Sequence, residues 1–207
     1  MVRLGGILID RLATAHRCGH AECERAREPC SARAAMKATT LLERQHRNLQ
    51  QLCEAVERGS ASMRESLLPQ LAGDLVAHIA VEEQLFYPAA CEALHEDRWM
   101  RSGCSRHAQA RQSLDRALDA PVDGEEFTRA IGDLRTAVEL HAEEEEEVLF
   151  PRLEGALDAG ALRQLGVSMM ALYHAKVEAG YAPSSSSMLA EPAAPEPPRP
   201  PQPQPQR

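Results

Sequence analysis

A motif that we call the phrase occurs twice in this sequence and restricts the folds that the chain can adopt. Residues 78–88 and 141–151 both begin with His, carry Glu four residues later and end in Pro. One further histidine lies upstream of each phrase, His46 before the first and His107 before the second. The chain therefore contains two similar halves, each with a single His followed by a His-x3-Glu pair.

The spacing of the phrase is helical. In an α-helix, residues four positions apart lie roughly 40° apart around the axis and on adjacent turns, so each His and its Glu point the same way. Apolar residues recur every three or four positions on the same faces, which predicts that these polar residues lie on the apolar side of each helix. The four predicted stripes are Leu42, His46, Leu49, Cys53 and Val56; Leu71, Leu75, His78, Glu82 and Leu85; His107, Ala110, Leu114 and Ala117; and Leu134, Ala137, Val138, His141, Glu145 and Val148.

Start and stop signals divide residues 36–182 into four long helices and a short fifth, which predicts an all-α domain. Capping-box patterns mark two of the starts, and glycines mark the neighbouring boundaries. We predict a helix from the capping box at Thr40 to Gly59, a second from the capping box at Ser62, a third from near Ser102 or Ser105 to before Pro121, a fourth from about Gly124 to Leu157, and the fifth from about Ala161 to Ala179.

The two ends of the chain are predicted to lie outside this domain. Residues 183–207 are rich in proline and are predicted to be disordered, with a ligand for an SH3-type domain as an alternative interpretation. Residues 1–35 are interpreted as a disordered extension or as a mis-assigned start ahead of Met36. A zinc site is the alternative there, although the cysteine gaps differ from the paired short spacings typical of zinc sites.

Composition narrows the function classes. The net charge of −8 over 207 residues leaves no basic stripe for phosphates, so we expect no nucleic-acid partner. The apolar run at 4–9 is too short for a signal peptide, and no segment approaches the roughly 18 apolar residues of a membrane span. We therefore expect a cytoplasmic protein without membrane contact, whose six cysteines stay reduced.

Burying several imidazoles and carboxylates in a helical core would cost several kcal/mol per ionised group unless something compensates, and a pair of metal ions would do so. Nitrogen and oxygen donors without a thiolate suit iron or manganese, and facing helices of a bundle can build such a centre. The predicted metal ligands are His46, His78, Glu82, His107, His141 and Glu145.

The whole pattern closely resembles the hemerythrin-like, or HHE cation-binding, domain over roughly residues 36–173. The resemblance implies an antiparallel up-down-up-down four-helix bundle around two iron ions, a non-haem di-iron centre that an oxo bridge can join. It also implies that the four histidines are terminal ligands and that Glu82 and Glu145 are bridges. Arg111 and Glu145 stand where oxygen-carrying members have a fifth histidine and an aspartate. The site is therefore more similar to bacterial di-iron proteins linked to nitric oxide chemistry and iron–sulfur cluster repair.

The polar residues around the phrases receive simpler interpretations. Most of the acidic run at 143–147 and Glu83 are predicted to face solvent, with Glu144 as the one alternative partner for a ligand histidine. The aromatic residues before each proline are predicted to pack two to three turns beyond the metals, with Tyr87 as a lesser candidate for a hydrogen bond to the site. His95 and His174 are not predicted to be ligands.

Three functions follow as hypotheses. The first is a di-iron protein that binds or senses oxygen, nitric oxide or iron, so that its partner is a small diatomic ligand or peroxide. The second is a di-iron oxidoreductase acting on peroxide or nitric oxide, or an iron donor in iron–sulfur cluster repair. The third is a metal-free helical interaction protein. The sequence leaves open whether the protein is an enzyme.

Overall fold

Five helices and no strand make up residues 35–181, which are the residues described by the computed structural model. The predictions for the extension at 1–34 and for the tail at 182–207, including disorder, the zinc site and the SH3 ligand, lie outside the described residues. None of the five helices has a stretch long and apolar enough to cross a membrane.

Two of the five helices are interrupted by a wider, π-helical turn. Their bounds are α1, Ala38–Arg58; α2, Ala61–Val81 followed by the π-helical turn Glu82–Phe86 and then Tyr87–Leu94; α3, Arg98–Asp119; α4, Glu125–Glu144 followed by the π-helical turn Glu145–Leu149 and then Phe150–Ala156; and α5, Ala159–Ala179.

The helix starts differ from those predicted. The helix α1 begins at Ala38, so the capping box at Thr40 lies inside it and is not a cap. Ser60 rather than Ser62 caps α2, because its hydroxyl accepts a hydrogen bond from the amide of Met63. The helix α3 begins before Ser102, at residue 98, and α5 has 21 residues, so it is longer than the short helix expected. Capping patterns are local, and packing selects among several that lie close together.

The two π-helical turns were not predicted, but each has a visible cause. The amide of Tyr87 donates to the carbonyl of Glu82, and the amide of Phe150 donates to that of Glu145, so both hydrogen bonds span five residues instead of four. A proline follows at 88 and at 151. Proline has no N–H and its ring collides with the carbonyl four residues earlier, so the preceding turn widens to relieve the contact.

The wider turns move the buried face by one position. Leu85 and Val148 were predicted to continue the apolar stripes, but Phe86 and Leu149 are buried in their place. Val148 is 43% exposed. A period of 3.6 residues therefore describes each helix up to its Glu and fails after it.

The helices form the predicted antiparallel four-helix bundle, with α1 packed on α2 and α4, and α3 packed on α4. The additional helix α5 packs against α1 and α2. A side chain at Gly166 of α5 would lie 2.3 Å from the carbonyl oxygen of Met36, so a glycine is required where α5 meets the start of α1.

The core consists of two apolar clusters with a polar layer between them. One cluster contains Leu49 of α1, Leu75 of α2 and Leu134 of α4, and the other contains Leu42 of α1 and Phe86 of α2. In α1 and α2 the histidine lies between the residues of the two clusters, so the bundle places the repeated phrases in this layer.

Candidate metal centre

All six predicted ligand side chains lie in the polar layer and are buried. Their exposed fractions are 0% for His46, 1% for His78, 0% for Glu82, 2% for His107, 5% for His141 and 4% for Glu145. The helices α1 and α3 each contribute one histidine, and α2 and α4 each contribute a His-x3-Glu pair that ends where the π-helical turn begins.

Glu82 is the centre of the group because it contacts all four imidazoles. Its Oε2 lies 2.9 Å from Nε2 of His107 and 3.3 Å from Nε2 of His141. Its Oε1 lies 3.2 Å from Nε2 of His78 and 3.5 Å from Nε2 of His46. All four imidazoles therefore direct the same nitrogen at one carboxylate.

Glu145 is held more loosely. Its Oε2 lies 3.6 Å from Nε2 of His46 and 3.8 Å from Nε2 of His141. The potential ligand atoms of His46, His78, Glu82 and His141 all lie within 4.8 Å of one another. His107 contacts this group through Glu82. Glu145 lies beside the group, next to His46 and His141.

The polar atoms that face one another have no hydrogen-bond partner. These buried atoms are Nε2 of His46, His78 and His141, Oε1 of Glu82, and both carboxylate oxygens of Glu145. A buried polar atom that is left unpaired costs free energy, so native proteins rarely leave several in one place. Because three nitrogens and three oxygens converge without partners and without a thiolate, the residues present fit a divalent transition-metal cation.

Three of the four imidazoles are oriented from outside by a hydrogen bond at Nδ1. The Nδ1 atom of His46 lies 2.9 Å from Oε1 of Glu146, and that of His107 lies 2.9 Å from Oε1 of Glu83. The Nδ1 atom of His78 lies 3.1 Å from the amide oxygen of Gln45. An N–H at Nδ1 leaves Nε2 as the lone pair that faces inward, which is the arrangement common among metal-binding histidines.

The prediction that Glu83 and Glu146 face solvent is therefore wrong, because both carboxylates are hydrogen-bonded to histidines of the centre. Each directly follows a Glu of the centre, and one residue along a helix turns the side chain by about 100°. In a bundle this turn directs the side chain at the adjacent helix, where the single histidine lies. Glu144, the alternative partner considered, instead accepts a hydrogen bond of 3.0 Å from the hydroxyl of Ser102 and pairs with Arg106 at 3.5 Å.

Arg111, at the place of the fifth histidine of oxygen carriers, does not point into the centre. Its guanidinium donates a hydrogen bond of 3.1 Å to Oε2 of Glu83. Glu83 therefore accepts from His107 and Arg111 together, and its hydrogen bond with His107 followed by that with Arg111 holds the pKa of this carboxyl below its ordinary value. Arg111 therefore helps to hold the carboxylate of Glu83, which in turn is hydrogen-bonded to His107.

Tyr87 lies much closer to the centre than the sequence suggested. Its hydroxyl donates a hydrogen bond of 3.2 Å to Oε2 of Glu82, and its ring stacks on His107 with centroids 5.7 Å apart. The reason is the π-helical turn, which brings residues five apart into alignment. The equivalent residue in the other half, Phe150, stacks on His46 at 6.0 Å and has no hydroxyl.

Gly103 of α3 makes the position of Tyr87 possible. A Cβ at residue 103 would lie 2.2 Å from the hydroxyl oxygen of Tyr87 and 2.3 Å from its Cζ. No local pattern in the sequence indicated this glycine. The other two histidines of residues 35–181 lie elsewhere, since His95 ends α2 and His174 is exposed on α5.

The pKa values of the two carboxylates of the centre are shifted in opposite directions. Burial opposes the ionised form of Glu82, but the charges of His78 and His141 and the hydrogen bond with His107 place its pKa well below the ordinary range. Burial followed by repulsion from Glu82 places the pKa of Glu145 well above it. Two carboxylates in one buried site cannot both ionise cheaply without a cation.

The pKa values of the four imidazoles are also shifted in two directions. Burial lowers the pKa of His78 well below its ordinary value and also lowers that of His141. Burial opposes protonation of His46 and His107 as well, but their hydrogen bonds with carboxylates outweigh it and raise their pKa values. Neutral imidazole is the form that binds a metal ion.

Comparison with known proteins supports this description. Residues 37–153 match the family described as the hemerythrin HHE cation binding domain. A crystal structure of a hemerythrin HHE cation binding domain-containing protein, the Rv2633c homolog from Mycobacterium kansasii, superposes with a TM-score of 0.62 at 22% sequence identity, covering 70% of this chain and 89% of that chain. This likeness concerns the fold. No curated protein matches the chain. Because the family match spans more than half of the sequence, the chain belongs to the hemerythrin HHE cation-binding domain family.

Proposed function

We propose that this protein binds two iron ions in the polar layer between its apolar clusters, and that the resulting di-iron centre binds a small diatomic ligand, oxygen or nitric oxide, or peroxide. The observation that carries the proposal is the convergence of buried donor atoms without partners from His46, His78, Glu82, His141 and Glu145. A metal-free core would have no use for six such atoms aimed at one place.

The proposed ligands are the six residues predicted from the sequence. Glu82 is suited to bridge two metals because its two oxygens face different pairs of histidines, His46 and His78 on one side and His107 and His141 on the other. Glu145 is the second proposed bridge, since its Oε2 lies between His46 and His141. The histidines are the proposed terminal ligands.

The other residues of the site position these ligands. Glu83, Glu146 and Gln45 hold three imidazoles in the tautomer that presents Nε2. Tyr87 donates a proton in a hydrogen bond to Glu82 and keeps that proton, because burial raises the pKa of its hydroxyl far above the ordinary value. Apolar clusters lie on both sides of the layer. When bound, a pair of iron ions would supply two adjacent redox-active Lewis acids with exchangeable coordination positions.

The test is the metal content and optical spectrum of protein purified from iron-replete cells, before and after reduction. We expect about two irons per chain and near-ultraviolet bands that bleach on reduction. Glu145→Ala should lose the second iron, whereas Glu143→Ala, an exposed glutamate on the same helix, should keep both. Two irons retained in Glu145→Ala would contradict the assignment of this bridge.

A di-iron oxidoreductase is the second candidate, and the asymmetry between Tyr87 and Phe150 favours it. Only one half of the centre has a hydroxyl beside a carboxylate, which distinguishes the two metal positions chemically. Turnover of peroxide or nitric oxide with a reductant present would support this candidate over a binding protein. A stoichiometrically metal-free protein with the same helical fold would refute both and leave an interaction protein.

A further inference from the structure

The two halves of the centre are closed differently on their outer sides. Gln45 directly precedes His46 in α1, and its amide oxygen accepts the hydrogen bond from Nδ1 of His78. The residue that directly precedes His107 in α3 is Arg106, which has no acceptor atom. Among residues 35–181, no side chain accepts a hydrogen bond from Nδ1 of His141. His141 is also the most exposed of the four imidazoles, at 5%.

Two small cavities border His141, and each is lined in part by residues of α3 and α4, at the seam where these two helices pack. The first has about 10 Å³ of space for the centre of a water-sized molecule and is lined by His78, His107 and His141. Its lining also contains two small residues, Ala110 of α3 and Ala137 of α4, and two leucines, Leu49 of α1 and Leu75 of α2. A space of this size holds about one water molecule, so an apolar-walled void directly contacts three proposed ligands.

The second cavity has the same size and a more polar lining. It is bounded by Gly103 and Trp99 of α3 and by Glu144, Glu145 and His141 of α4. The indole Nε1 of Trp99 is buried without a hydrogen-bond partner. Both oxygens of Glu145 are likewise unpaired, so this side of the seam has unused donors and acceptors.

An ion pair between α3 and α4 joins the linings of the two cavities. Arg106 lines the first cavity, Glu144 lines the second, and their side chains pair at 3.5 Å across the seam. Both are about one-third exposed, at 34% each, so the pair faces solvent on its outer side. The hydroxyl of Ser102 supports Glu144 with a hydrogen bond of 3.0 Å. Exposed pairs of this kind contribute little free energy and can open readily.

We propose that small ligands reach the metal centre through this seam between α3 and α4, beside His141, and that Arg106 and Glu144 close it. The inference rests on the proposed metal centre and adds the route and the size limit. The space beside the imidazoles is about the size of one water molecule, so the route favours ligands of two or three heavy atoms, such as oxygen, nitric oxide, peroxide or azide, over larger anions. Ala110 and Ala137 are the residues that set this limit.

The size limit is tested by filling the cavity in the iron-loaded full-length protein. Azide is the probe, and its association rate is followed by the optical change of the ferric centre. Ala110→Leu and Ala137→Leu should each slow association by about tenfold, because the ligand must displace an over-packed side chain. Ala108→Leu is the matched control, since Ala108 is exposed on the same helix and should leave the rate unchanged.

The role of the ion pair is tested by removing each partner. Arg106→Gln and Glu144→Gln change the net charge in opposite directions, so a purely electrostatic effect on azide would shift the two rates in opposite directions. A closing pair predicts that both variants raise the association rate. Iron content is measured in every variant.

The outcomes separate this inference from the proposed function. If the wild-type protein holds no iron, the proposed function fails and the ligand route fails with it. If iron is retained and azide binds all leucine variants at the wild-type rate, the route is wrong while the metal centre stands. Slowing at Ala110 and Ala137 alone, together with faster binding in both ion-pair variants, supports it. Opposite shifts in the ion-pair variants would overturn the closing role.

Discussion

The contact between Gly103 and Tyr87 allows a quantitative test of how α3 is fitted to the metal centre. In Gly103→Ala, the new methyl group would lie 2.2 Å from the hydroxyl oxygen of Tyr87 and 2.3 Å from its Cζ. Atoms cannot approach so closely, so the ring or the helix must move. The ring has little room because it is 1% exposed, stacked on His107 and hydrogen-bonded to Glu82.

The expected magnitude combines three effects of known size. Replacing a glycine inside a helix by alanine stabilises it by about 1 kcal/mol when nothing else changes. Over-packing a well-filled core costs about 1–3 kcal/mol, and losing the hydrogen bond between Tyr87 and the Glu82 carboxylate costs about 1.5–3 kcal/mol. The costs exceed the gain, so Gly103→Ala should lower the free energy of unfolding by about 1.5–5 kcal/mol.

The assay is urea unfolding at neutral pH, followed by circular dichroism in protein treated with a chelator. Gly132→Ala is the control, because a Cβ at residue 132 of α4 meets nothing within 4 Å. This variant should be stabilised by up to about 1 kcal/mol. If both glycine variants show the same change, the packing of Tyr87 does not constrain α3 and the reasoning is refuted.

Three further predictions concern other ionisable groups. In chelator-treated protein, the raised pKa of Glu145 contributes stability that is present below the ordinary carboxyl value of 4.5 and is lost as pH rises above that value and through the folded pKa. Glu145→Gln should remove this loss of stability. Equal pH slopes in urea unfolding of the two proteins would contradict the prediction. Hydrogen bonds from Thr39 and Lys37 lower the pKa of Glu154. Glu154→Gln should therefore lower the free energy of unfolding by about 0.5–1 kcal/mol at neutral pH. This difference from the wild-type protein should disappear as pH falls below the ordinary value of 4.5 and through the folded pKa. Urea unfolding at neutral and acidic pH measures it, and a difference that persists in acid would argue against the ion pair. Burial raises the pKa of the Cys53 thiol to about 12. An alkylating reagent should therefore modify Cys53 only after the protein unfolds, which mass spectrometry can map. Labelling of Cys53 in the folded protein would show that α1 opens locally.

Much of the bundle could be predicted because its signals are periodic and local. The stripes through His46, His107 and the residues before Glu82 and Glu145 are buried as expected, since a period of 3.6 residues decides which face of a helix is apolar. The convergence of the six polar residues followed from those stripes and from the resemblance to a known family. Their role as metal ligands stays a prediction.

The prediction failed where the local geometry departs from an α-helix. Pro88 and Pro151 end the repeated phrase, and each follows a π-helical turn that the 3.6-residue period does not describe. The turn before Pro88 exchanges Leu85 for Phe86 on the buried face and brings Tyr87 to Glu82. The signal was present in the sequence, because a proline inside a helix removes one backbone hydrogen bond and crowds the turn before it.

The helices, their apolar faces and the two His-x3-Glu pairs were predictable from the sequence, because these depend on neighbours within a few residues along one helix. The groups that meet across helices became known from the fold. The pairing of Glu83 with His107, the room that Gly103 leaves for Tyr87, and the two cavities beside His141 all depend on the distance and rotation between packed helices. Those quantities are set by the packing of the whole core, and no local pattern encodes them.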